Sequence, residues 1–211
     1  MRPARRSHRA APPNRNGVGP SSVALPPGGW PTILDFLRQR FPNVGAEEWL
    51  ARMQRGEVLD ADGAPLAPEA PYRPHTKIHY YRSLPAEPRI PFEATVLYQD
   101  DYLVVADKPH FLPVTPSGRY VQETLLVRLK RQLGIDTLAP MHRLDRETAG
   151  LVLFTIQPKT RERYQALFRE RAVVKRYEAI APWRPDLVLP MVYRSRLAQS
   201  AAFMRMEEVA G

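Results

Sequence analysis

The sequence predicts an α+β chain in which a small helix-and-sheet module is followed by a larger sheet-and-helix module. Three observations carry this. Apolar residues recur at helical spacing in four short segments, 33–41, 46–54, 121–133 and 159–169. Short apolar runs bounded by turn residues lie between them, and a stretch with three prolines in nine residues, 83–91, divides the two groups as a stiff linker.

Residues 1–30 hold six prolines, four glycines and five arginines, Arg2, Arg5, Arg6, Arg9 and Arg15, without an acid or an apolar period. They are expected to form a disordered basic arm. From Pro31 the pattern changes. Ile33, Leu34, Phe36, Leu37 and Phe41 mark a short amphipathic helix, with Thr32 as N-cap and Pro42-Asn43 as its stop. A second helix over 46–54 would bury Trp49, Leu50 and Met53. Then come a strand at 57–59, a turn at 60–63 and a strand at 77–82. After the linker, strands at 95–99 and 103–106 flank an acidic turn. A helix over 121–133 places Leu125, Leu126, Leu129 and Leu133 inward, and one over 159–169 does the same for Tyr164, Leu167 and Phe168. A last strand is expected over 173–181.

Composition narrows the function. The 211-residue chain is 44% hydrophobic, with no apolar run near the roughly 18 residues of a membrane span and no secretory signal, so a soluble, cytoplasmic monomer is expected. Zero cysteines exclude disulfides, thiol nucleophiles and cysteine-ligated zinc. His75 and His79 stand four apart but lack a third ligand at metal spacing, and no glycine-rich phosphate loop is present, so neither metal nor cofactor is expected. The net charge of +9, with pI near 10.1, points to a polyanion, RNA first. Residues 1–30 supply +5 of it, and the arginine richness also fits a compositional bias.

The most informative stretch is MHRLDRETAGLVLFT, 141–155. It sets Asp145 between Arg143 and Arg146, which favour the charged carboxylate, on a loop that Gly150 turns into the run Leu151-Val152-Leu153-Phe154. That run reads as a strand buried on both faces. His142 is expected to make a structural hydrogen bond rather than act as a base.

These residues resemble the signature of the RluA-type RNA pseudouridine synthases: His142, Arg143, Leu144, Asp145, then Thr148, Ala149 and Gly150 before an apolar strand. Residues 96–109 look like that family's opening hairpin, and Lys175, Tyr177 and Ala179 are similar to its Lys-x-Tyr-x-Ala motif. The resemblance implies a pseudouridine synthase fold with a mixed, mostly antiparallel sheet over 92–211, here incomplete. Residues 31–82 resemble an S4-like RNA-binding domain, which implies RNA contacts for Arg38, Arg40, Arg52, Arg55, Lys77 and Arg82.

The implied activity is isomerisation of uridine to pseudouridine without a cofactor. Asp145 would be the catalytic group, attacking C1′, adding to C6 or removing the C2′ proton. Arg143 would steady the space left by the flipped base, and Tyr177 would stack on the uracil or move a proton. Ribosomal RNA is the first expected substrate and transfer RNA the second. Where the family has a small-residue loop after Lys108-Pro109, this chain has His110-Phe111-Leu112-Pro113. The family's further motif, with a basic partner for the aspartate, would lie beyond Gly211. A fragment, a frameshifted product or an inactive protein is therefore expected, with non-catalytic RNA binding as the alternative function.

Overall fold

The computed structural model describes residues 12–84, 86–201 and 205–209. The described residues up to Val173 form one compact unit and those from Val174 a second. The first unit opens with β1 (Ser21–Ala24), α1 (Ile33–Arg40), α2 (Ala46–Gln54), β2 (Val58–Leu59) and β3 (Lys77–Tyr80). Local chemistry sets α1. The Thr32 hydroxyl accepts from the Asp35 N–H, while the Asp35 carboxylate accepts from the Thr32 N–H, a reciprocal cap. The strands pair antiparallel in the order β1-β3-β2, and Leu25, Phe36, Leu37, Trp49, Val58 and Ile78 fill the core between sheet and helices.

The expected disordered arm over 1–30 is therefore corrected for its later part. Ser21 to Ala24 pair with Tyr80 to Lys77, and Val18 and Leu25 are buried. A four-residue strand with two serines leaves too little apolar signal to stand out among prolines and glycines. Arg2, Arg5, Arg6 and Arg9 lie outside the described residues.

A second core follows in the same unit. β4 (Thr95–Gln99), β5 (Leu103–Lys108), β6 (Ala139–Pro140) and β7 (Gly150–Thr155) pair in the order β4-β5-β7-β6. Every ladder among the described residues is antiparallel, in keeping with the mostly antiparallel sheet expected of this α+β fold. α3 (Leu125–Leu133) is capped by Thr124 and stopped by Gly134 at φ +67°. Its Leu125 and Leu129 join Val104, Ala106, Val152 and Phe154 in the core.

One face of β7 is buried, while the other is exposed at Leu151 and becomes buried only at Thr155. Val152 and Phe154 point into the core, but Leu151 on the other face is 55% exposed. The two-faced burial read from the run Leu151 to Phe154 is thus corrected: hydrophobic content did not distinguish a core-facing residue from its outward neighbour. α4 (Arg161–Arg169) follows a 3-10 turn at Pro158–Thr160 and packs lightly, with no residue of the helix buried and Leu167 exposed.

In the second unit, β8 (Arg196–Gln199) pairs antiparallel with β9 (Met206–Val209). The strand expected over 173–181 does not form. Val174 and Ile180 are fully exposed there, and the segment has no ladder partner among the described residues. An extended segment without an adjacent edge has nowhere to place its backbone hydrogen bonds except water.

Candidate active site

Asp145 sits in the loop that joins β6 to β7. The ladder fixes both ends of that loop. On the incoming side the Met141 N–H donates to the Leu153 carbonyl, and the Leu153 N–H donates to Nε2 of His142. His142 is thus a structural acceptor, stacked on Phe168 with ring centroids 4.8 Å apart. On the outgoing side Gly150 takes φ +123°, a conformation that side-chain-bearing residues rarely adopt. Between these anchors the Thr148 N–H donates to the Asp145 carbonyl at 3.2 Å, closing a turn that leaves the Asp145 side chain exposed.

The carboxylate borders an open cleft of about 190 Å³ that it shares with Arg143, Arg146, Tyr120, Thr115 and Ser117. The two flanking arginines behave differently. Arg143 is exposed and lines the cleft. Arg146 turns to Glu147, 2.7 Å away, and donates to the Tyr120 hydroxyl at 3.3 Å. The expected clasp of Asp145 by two arginines is corrected accordingly: an acid one residue on competes for Arg146.

The cation beneath the loop is Lys108, at the end of β5. Its side chain is fully buried, and Nζ donates to the carbonyls of Leu112 (2.8 Å), Pro109 (3.0 Å) and Arg146 (3.1 Å). It therefore ties the 109–112 turn to the Asp145 loop. Burial pushes its pKa down from 10.5 to about 8, opposed by the negative charges of Glu147 and Asp145. The opposite wall is also held from outside. Arg82 donates to the carbonyls of Pro116 and Gly118, and the Glu87 carboxylate accepts the N–H groups of Val121, Gln122 and Glu123 at 2.7–2.8 Å. Ser117 and Tyr120 exchange backbone hydrogen bonds across the intervening turn.

The residues expected to touch RNA divide into two groups. Arg38, Arg40 and Lys77 are exposed. Arg52 is buried, bonded to Glu48 at 2.7 Å and to the Ser83 carbonyl, so a free phosphate contact is ruled out for it in this fold. Arg55 pairs with Glu57, and Arg82 spends both terminal nitrogens on loop carbonyls. Helical spacing shows which face a residue occupies but not whether an acid or a carbonyl waits there. Tyr177 lies in the second unit and is 60% exposed. Lys108, Glu87 and Tyr120 were not singled out from sequence. The available signal was slight: a lysine closing an apolar strand immediately before proline.

Residues 102–207 match the family described as RNA pseudouridylate synthase. That match covers half of the sequence and contains the whole Asp145 loop. The chain belongs to the RNA pseudouridylate synthase family. An uncharacterised RNA pseudouridine synthase of Synechocystis is 34% identical over 148 residues, 70% of this chain and 50% of that protein. RNA pseudouridine synthase 5 of Arabidopsis thaliana is 32% identical, over 66% of this chain and 41% of its own length. The chain thus spans half or less of these family members. A solved structure of human RNA pseudouridylate synthase domain containing 4 is 35% identical over 36% of this chain and 30% of its own, with a TM-score of 0.31.

Proposed function

We propose that this family member isomerises specific uridines in structured RNA to pseudouridine, with Asp145 as the catalytic group. The observation that carries the reading is the placement of Asp145: an exposed carboxylate on a loop clamped at both ends, bordering an open cleft within the family match. The reaction breaks the N1–C1′ bond, turns the uracil and joins C5 to C1′, so the atoms of the nucleotide are conserved and the proton leaves C5 for N1. A carboxylate fixed near the sugar or base can serve this rearrangement by any of the three routes open to it, and a rigid loop supplies the orientation that makes the contact productive.

Arg143, exposed on the same cleft, would support the strand from which the base has been turned out. Tyr177 would contribute a ring and a hydroxyl. Arg38, Arg40 and Lys77 would meet phosphates of the folded RNA through an S4-like surface. Ribosomal RNA is the first substrate proposed and transfer RNA the second; one relative is named tRNA pseudouridine synthase C, from Vibrio parahaemolyticus. No helix of the described residues is long and apolar enough to cross a membrane, which fits the proposed cytoplasmic location. A single copy is proposed to act alone.

The test is release of tritium from 5-³H-uridine in ribosomal and transfer RNA transcripts. Asp145→Asn should reduce release to background while salt-dependent RNA binding persists; equal release from the variant would remove Asp145 from the mechanism. The second reading, RNA binding without isomerisation, draws on the segment 174–180, which carries Tyr177 outside any ladder. It would be favoured by wild-type chain that binds RNA and releases no tritium.

A further inference from the structure

Beside the Asp145 loop, which contributes Ala149 to its lining, lies a second cavity of about 310 Å³. Its walls include two phenylalanines, Phe92 and Phe111, each about half exposed (47% and 50%), with ring centroids 6.2 Å apart at 39°. Apolar rings clustered at a concave surface offer faces on which a flat ring can stack. Phe111 is also held at φ +66° in the 109–112 turn, where glycine would be free of strain and a bulky residue is a clear outlier.

The turn is secured from both sides. The Lys108 ammonium holds the Leu112 carbonyl, and His110 Nδ1 donates to the Glu147 carbonyl at 2.6 Å, which joins this turn to the Asp145 loop. The strained backbone of Phe111 is thus kept in place next to the candidate active site.

Of the polar residues lining this cavity, Lys108 and His110 spend Nζ and Nδ1 on backbone carbonyls, which leaves the carboxylates to define what could stack there. Asp107 faces the cavity from β5, exposed, and no hydrogen bond or ion pair reaches its carboxylate among the described residues. Neighbouring Glu93, by contrast, is paired with Arg89 at 3.6 Å and Arg128 at 3.8 Å. A free carboxylate repels phosphate and accepts N–H groups. Two aromatic faces with an acceptor-only group at their edge suit a flat heterocycle that presents two adjacent donors. Among the RNA bases, guanine alone offers this, through N1–H and the N2 amino group; uracil flanks its single N–H with two carbonyl oxygens that would face the carboxylate.

We infer that Phe92, Phe111 and Asp107 form a pocket for one unpaired guanine of the RNA, near the nucleotide presented to Asp145. This rests on the RNA reading above. The pocket would stack the base through its rings and read its edge through the carboxylate, so that a guanine near the target uridine strengthens binding.

Fluorescence anisotropy with labelled oligouridylates carrying one central guanosine, inosine or no substitution tests it at constant salt. Guanosine should tighten binding roughly tenfold over uridine, and inosine, which lacks the N2 amino group, should lose most of that gain. Phe111→Gly should abolish the gain while its melting temperature holds or rises, because glycine relieves the positive φ; a residue of purely structural importance would not separate these readouts. Asp107→Asn should level the guanosine preference. Binding to all oligomers with equal affinity, or a preference unchanged in Phe111→Gly, would overturn the pocket while leaving the RNA reading standing. Failure of the wild-type chain to bind any oligomer or folded transcript would overturn both.

Discussion

Replacing Lys108 by Met keeps the buried stem and removes the ammonium, which isolates the three hydrogen bonds beneath the Asp145 loop. A hydrogen bond to a charged group is worth roughly 1.5–3 kcal/mol, so losing three would cost about 5–9 kcal/mol if nothing compensated. The opposing effect is the strain of holding a charge in the interior. A pKa lowered from 10.5 to about 8 corresponds to about 3 kcal/mol of unfavourable environment for the protonated amine. The difference leaves Lys108→Met destabilised by about 2–6 kcal/mol at pH 7, readable from urea midpoints at constant m.

The pH dependence gives the reasoning a second point of contact. Because the folded pKa lies below the unfolded one, the unfolded chain binds the extra proton between about pH 8 and pH 10.5. Stability from this group therefore rises with pH across that window. The wild-type advantage over Lys108→Met should widen from pH 8 toward pH 10.5. A gap that stays constant or narrows, or a loss at pH 7 below about 1 kcal/mol, would refute the assignment of Lys108 as a buried, charge-bearing anchor.

Two further substitutions test other supports. Arg52→Ala removes the nearer of two arginine partners of Glu48, the donor to the Ser83 carbonyl and a guanidinium 5.1 Å from the Trp49 ring, and should lower stability by about 2–3 kcal/mol in urea unfolding. It should leave the slope of log affinity against log salt for RNA unchanged, since a buried arginine neutralises no phosphate; a slope reduced by about one would place Arg52 at the RNA after all. Gly150→Ala introduces a methyl group that meets no atom within 4 Å, so its effect should come from φ +123° alone. A loss of about 1–3 kcal/mol in thermal melts is expected, and the proposed uridine isomerisation should slow because the end of the Asp145 loop must shift; an unchanged melt would show that the turn tolerates a side chain.

What was legible in the sequence was local. Thr32 and Asp35 fix the start of α1 through their own backbone, so 33–41 could be read from a few residues, and the same holds for Thr124 and Gly134 at the ends of α3. The start of α3 was read too early, because the Glu87 carboxylate, over thirty residues away, captures the N–H groups of 121–123 before the helix begins at Leu125. Arg52 misled for the same reason: its spacing is that of a helix face, and its burial depends on Ser83 from the following segment. The Asp145 loop was recognisable as a motif, but the cation that secures it was not, since the three carbonyls around Lys108 come from two separate turns.

The same distinction bears on how the cleft is built. Asp145 reaches it from a loop that its own strands hold, yet the facing wall, 115–120, contains no strand or helix and would have little reason to keep one shape. Its carbonyls at 116 and 118 are held by Arg82, which lies just beyond β3, and the backbone that follows is held by Glu87. Arg82 and Glu87 both lie in the segment connecting the two hydrophobic cores of the first unit, and that segment is in turn fixed to α2 through Arg52 and Ser83. A helix module placed ahead of the Asp145 sheet therefore bears on the cleft itself. Through this connection its base is tied to the backbone that faces the carboxylate, so substitutions there should alter the cleft even where they lie far from Asp145 in sequence.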